Sequence, residues 1–150
     1  MIAKAEMLIR RPVGEVFKAF IDPAITTKFW FTKSSGKLET GKQIHWEWEM
    51  YNSSTDVNVI SIEPNRRILV EWTAYGEPTT IDWIFTSRPD NTTFVSITNS
   101  GFHGTQDEIA QQAIGSTEGF SFVLAGLKAL LEQDINLNLI ADRFPDGVGE

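Results

Sequence analysis

The 150-residue sequence contains no cysteine, which excludes disulfides, thiolate nucleophiles and cysteine-ligated metal sites. Histidine is almost as scarce, with only His45 and His103 among the 150 residues. Basic charge is the minority sign: 13 Lys and Arg stand against 20 Asp and Glu, for a formal charge of -7. Such a surface repels phosphate backbones and anionic lipid at long range, so neither nucleic acid nor a membrane is expected as a partner. No run approaches the roughly 18 apolar residues of a membrane span, and the opening MIAKAEMLIRRP lacks the apolar centre of a secretory signal. A cytoplasmic protein is the expectation. Repeats, linkers and low-complexity segments are absent too, so residues 1–150 read as one domain, long enough to bury a single core.

Aromatic residues are plentiful: five Trp and ten Phe. The stretch QIHWEWEMY, residues 43–51, alternates indoles with carboxylates. A strand sends successive side chains to opposite faces, so Ile44, Trp46, Trp48 and Met50 share one side while His45, Glu47, Glu49 and Tyr51 share the other. Each Trp carries about 150–250 Å² of surface, worth roughly 4–6 kcal/mol when buried at about 25 cal/mol per Å², so the indole side needs a cover.

Residues 2–9 read as a first strand. Pro12 pre-sets a helix over PVGEVFKAFID, with Val13, Val16, Phe17 and Phe20 at helical spacing. A second brief helical stretch, PAITTKFWF, ends in three aromatics that cannot all face water, so Trp30 at least should turn inward. Turn signals then separate strands over 43–51, 56–63, 67–74, 80–87 and 93–99, with a short strand expected near Lys37–Glu39. Trp72 shares a face with Val70 and Ile68, and Trp83 with Ile81 and Phe85. From about Gln106 to Gln133 the period changes to 3.6, with Ile109, Ala113, Phe120, Val123, Leu124, Leu127, Leu130 and Leu131 on one broad side. That helix supplies the cover. The expected fold is α+β: six or seven antiparallel strands wrapped around one long C-terminal helix, with two short helices after the first strand. Only the tail after Asp134 looks loosely specified.

The phrases IRRPVGEVFKAFIDPAITTKFWF, SIEPNRRILVEW, SITNSGF and GLKALLEQ resemble the helix-grip, START-like (SRPBCC) superfamily that includes the birch-pollen allergen. More narrowly they resemble its branch named after the activator of the ninety-kilodalton heat-shock chaperone's ATPase. The resemblance runs along nearly the whole chain. It implies a seven-stranded sheet gripping the helix, with a space between them that in many members holds an apolar small molecule. In the eukaryotic activator an additional N-terminal domain contributes to chaperone binding, and no counterpart to it is expected here.

Within the long helix, Gly115, Gly119 and Gly126 lie near one side, each costing about 1 kcal/mol relative to alanine. Either they allow close approach to the sheet or mark a break, or they leave room for a ligand beneath Trp46, Trp48, Trp72 and Trp83. A dry void of about 300 Å³ would cost on the order of 7 kcal/mol, so a pocket of that size must hold ligand or water, or collapse. Gln112 and Ser116 fall within the apolar arc and are the candidate polar groups for such a space, unless the helix begins later and leaves them exposed. The expected ligand-contacting set is therefore Trp46, Trp48, Trp72, Trp83, Gln112, Ser116 and Gly119.

Catalytic patterns are weak. His45 and Glu47 share a strand face but lack a nameable third metal ligand. GSTEG at 115–119 centres on Thr117 within a helix, which is no nucleophile elbow. Asp82 alternates away from Trp83 and reads as a solvated carboxylate, and Arg66 and Arg67 read as structural charges beside a hairpin turn. No cofactor, metal or catalytic residue is expected. The leading expectation is a non-enzymatic binder of a small apolar or aromatic ligand. The second is an interaction module for a chaperone, using the FWF cluster and the apolar residues Leu137, Leu139, Ile140 and Phe144 of the tail. A cyclase- or hydrolase-like enzyme comes third.

Overall fold

The computed structural model describes residues 1–148, apart from the side chain of Tyr75. Seven antiparallel strands form one sheet in the order β1-β7-β6-β5-β4-β3-β2: β1 Ala3–Ile9, β2 Lys33–Ser34, β3 Gln43–Trp48, β4 Ser53–Glu63, β5 Arg67–Tyr75, β6 Glu77–Ser87 and β7 Thr93–Ser100. Two short helices, α1 Val13–Ile21 and α2 Pro23–Thr26, separate β1 from β2; α3 Gln106–Gln133 and α4 Leu139–Arg143 close the chain. The expected α+β helix-grip architecture is the one observed.

Alternation decides which face is inside. In β7 every second residue is buried, and Val57, Ile68, Val70, Ile81, Trp83 and Val95 are all sealed from solvent. The outer face carries charge instead: Arg67 of β5 donates from Nε and Nη2 to both carboxylate oxygens of Asp82 on β6, each at 2.9 Å. Helix α3 starts at a capping box in which Thr105 Oγ1 accepts from the Glu108 backbone and Glu108 Oε1 accepts from the Thr105 backbone, satisfying two donors a helix start leaves orphaned. It runs unbroken for 28 residues to Asp134, whose φ of 55° ends it, so Gly115 marks no break. Phe120, Val123, Leu124 and Leu127 bury its inner side.

Several details depart from the sequence reading. The short strand lies at Lys33–Ser34 and pairs with Trp46 and Glu47; Leu38 is instead a buried loop residue. Strand β3 stops at Trp48, because Glu49–Tyr51 form a 3-10 turn that reverses at Asn52 with φ of 48°. Met50 is therefore exposed rather than on the indole side. Strands β4 and β6 begin at Ser53 and Glu77, each three residues before the expected starts at 56 and 80, and a register shift between Val59 and Ser61 in β4 leaves Ile60 unpaired as the extra residue of a bulge.

Candidate functional site

Helix α2 begins at Pro23, with Asp22 Oδ1 accepting from the Ala24 backbone at 3.0 Å as its N-cap. It ends after a single turn, and that early stop swings Phe29, Trp30 and Phe31 into the interior, where all three are buried. Trp30 becomes the hub of the core. Its ring lies 4.9 Å from Trp46, 6.1 Å from Trp48, 6.2 Å from Trp72, 6.1 Å from Trp83 and 5.6 Å from Phe120, centroid to centroid. Phe31 stacks on Trp46 at 4.7 Å, and Phe20 meets Trp83 at 5.8 Å. Edge and tilted contacts of this kind add about 0.5–1.5 kcal/mol per pair beyond burial.

This wedge divides the space between sheet and helix. On one side of it Trp46 and Trp83 are 1% and 0% exposed, wholly enclosed by protein. On the other a cavity of about 310 Å³ remains. Trp48 and Trp72 form its sheet wall with Ser53 and Ala74; Gly115, Ser116, Gly119, Phe120 and Val123 form its α3 wall; Trp30 closes its inner end. The fourth wall is the tail, through Ile140, Arg143, Phe144 and Val148, together with Tyr51. Ser53, Ala74 and Val148 are exposed at the mouth, so the space opens to water.

The α3 glycines answer their question separately. A Cβ on Gly126 would lie 3.5 Å from Phe29 Cβ and 3.6 Å from Phe29 O, ordinary contact distances, so the helix there faces packed protein with no room beyond a methyl group. A Cβ on Gly119 would sit 3.5 Å from Arg143 Nη1. At Gly115 it would meet nothing within 4 Å, and there the helix faces open space.

Polar groups in the wall are few and mostly engaged. Ser116 Oγ donates to Asn99 Oδ1 at 2.9 Å, and the buried Asn99 amide donates to Thr79 Oγ1 and to Thr80 O. That network is satisfied within the core. The Tyr51 hydroxyl donates to the Ile140 carbonyl and shares with Ala141 O at 3.2 Å, and its ring meets Phe144 edge-on at 5.9 Å. Arg143 Nε donates to Glu118 Oε1 at 2.7 Å, while its guanidinium lies 4.6 Å from the centroid of Phe144. Trp72 and Trp83 bury their indole N–H groups with no acceptor among the described residues.

Of the sequence-derived set, Trp48, Trp72, Ser116 and Gly119 converge on the cavity. Trp46 and Trp83 do not line it: the Trp30 and Phe31 wedge, together with Phe20, stands against them. Gln112 does not either, because its side-chain amide donates to the carbonyl of His103 at 2.9 Å and ties down the loop before α3. Trp30, Tyr51, Phe120, Ile140, Arg143 and Phe144 were not among the expected lining residues. The apolar positions of the tail were a visible signal, yet they read as an outward face; Ile135 and Leu137 are exposed, whereas Ile140 and Phe144 turn inward. Among the described residues no three His, Asp or Glu side chains converge as a metal site. His45 is held instead by Asp56 at 2.8 Å on one nitrogen and Glu47 at 3.8 Å on the other, on the outer face of β3.

Comparison with known proteins agrees with the fold. Solved structures of similar fold include protein SSP2350 from Staphylococcus saprophyticus, 32% identical over 91% of this chain and 96% of that one, with a TM-score of 0.79. The Aha1 dimer from Colwellia psychrerythraea shares 22% identity over 89% of this chain and 97% of that one, at a TM-score of 0.73. DynU16, a protein of the dynemicin biosynthetic locus, is 21% identical with a TM-score of 0.75; 90% of this chain aligns but only 48% of DynU16, so the chain spans about half of that protein. No curated protein sequence matches the chain. The family profile described as activator of Hsp90 ATPase homolog 1-like protein matches residues 10–132, and the chain belongs to that family.

Proposed function

We propose that this protein binds a small, largely apolar or aromatic molecule in the cavity between β3–β5, α3 and the C-terminal tail. The observation that carries the reading is the 310 Å³ space walled by Trp30, Trp48, Trp72 and Phe120. It sits at the lower end of ligand-pocket volumes, about 300–1,000 Å³, and an apolar occupant would take its aromatic walls out of water. A binder is favoured over an enzyme because the described wall residues include no carboxylate and no imidazole and the wall's phenol, Tyr51, is engaged by backbone carbonyls of the tail, whereas acid–base chemistry needs a group free to reach the substrate. Occurrence of the same fold in a protein of the dynemicin biosynthetic locus supports small-molecule handling. Native mass spectrometry of the purified protein, with titration of the neutral fluorophore N-phenyl-1-naphthylamine followed by Trp quenching, tests it. Saturable binding at one site is expected; no saturable response and a ligand-free mass would refute it.

A second reading, a module acting on the Hsp90 chaperone, is favoured by the family itself and by exposed Ile135 and Leu137 beside the tail. Its test is the ATPase rate of the cognate chaperone with and without the protein. An unchanged rate and no co-purification would remove it.

A further inference from the structure

Arg143 is the only cation in the described wall of the cavity, on a chain whose formal charge is -7. Its side chain is 21% exposed, so the guanidinium is held at the rim rather than extended into solvent. Of the five N–H donors a guanidinium carries, Nε is taken by Glu118; the four on Nη1 and Nη2 have no acceptor among the described residues. The position is bounded on three sides: Phe144 and Phe122 lie against the cation, at 4.6 Å and 5.9 Å, and Nη1 lies over α3 at Gly119, where a Cβ would stand 3.5 Å from it. A planar fork of donors held beside an aromatic-walled space suits an oxyanion carried on an apolar body.

We propose that the ligand of this cavity is an aromatic monoanion, a carboxylate or sulfonate on a ring system, and that Arg143 receives its charged group. The inference rests on the ligand-binding reading above. A single charge fits better than a phosphate dianion, because Glu118 already neutralises part of the guanidinium and would repel a second negative charge.

Calorimetric titration with a matched pair of probes, 2-naphthoate and the neutral 2-naphthamide, separates the claims. Wild-type protein should bind the naphthoate about tenfold more tightly. Arg143→Gln should abolish that preference, with naphthoate losing about tenfold more affinity than naphthamide, while circular dichroism and urea unfolding show that the variant is folded. Glu118→Gln, by removing the competing carboxylate, should tighten naphthoate alone. If Arg143 serves only to pin the tail to α3, both substitutions weaken both probes alike, and the proposal is overturned. Equal binding of the two probes by wild-type protein overturns it too, while leaving the cavity reading in place. Failure of both probes to bind would bring down both the proposal and the cavity reading.

Discussion

Helix α3 meets the sheet in two ways along its length. Around Gly126 the helix presses on the Phe29 backbone and side chain, and behind that contact Trp83 and Trp46 are sealed. Around Gly115 and Gly119 the same helix, over the same sheet, stands against about 310 Å³ of space. Glycine occurs at both ends, and what faces it differs: at one end an aromatic wedge fixed by the short α2, at the other a tail bridged across by Tyr51 and Arg143. The contrast shows that a small residue on a core helix carries no meaning by itself. Its role is set by the element opposite.

The contrast can be broken most sharply through its tryptophans. Trp83→Ala should cost about 3–5 kcal/mol in urea unfolding, whereas Trp48→Ala, in the half-buried wall, should cost about half as much and weaken N-phenyl-1-naphthylamine binding. Equal losses would mean the two ends are packed alike. Next in size, Gly126→Leu drives a side chain into Phe29 and should destabilise by about 1–3 kcal/mol. Gly115→Leu, entering open space, should leave stability unchanged or raise it by up to about 1 kcal/mol.

Smaller still, Tyr51→Phe removes the hydroxyl that holds the Ile140 and Ala141 carbonyls and should cost about 1 kcal/mol. The loss should be confined to the tail, read as faster amide exchange over residues 139–144 with α3 protection retained. The smallest effect is one of pH. At the closed end of α3, burial pushes the Glu132 carboxyl up, but the Arg10 backbone N–H and the Lys128 ammonium outweigh it and hold the group below its ordinary value of 4.5. A carboxyl depressed in the folded state stabilises the fold above its unfolded value, and that contribution is lost as pH falls through the folded value. Glu132→Gln should therefore be less stable than wild type near neutral pH and converge with it on acidification below about pH 4; a gap that persists at low pH would contradict the assignment.

The fold was legible because its signals are periodic. Alternation in β6 and β7, and the 3.6 spacing from Ile109 to Leu131, each specify a face, and the two faces have only each other to cover them. Much less of the site could be read. Trp46 and Trp83 share the parity of Trp48 and Trp72, so no pattern within a strand separates them; the division is made by Trp30, whose approach depends on where α2 stops. Gln112 falls in the apolar arc by angle, yet near the end of the helix the nearest acceptor is a loop carbonyl. The tail residues Arg143 and Phe144 lack periodicity altogether, and their part in the wall depends on two left-handed residues, Asp134 and Asn138, that turn the chain back across the cavity.

In the proposed function the Gly115 end of the interface receives the ligand and the Gly126 end does not. Measuring N-phenyl-1-naphthylamine affinity in wild type, Gly115→Leu and Gly126→Leu, each verified as folded, tests that division. Saturable binding lost in Gly115→Leu and retained in Gly126→Leu is the predicted result, whereas undiminished binding by Gly115→Leu would contradict it.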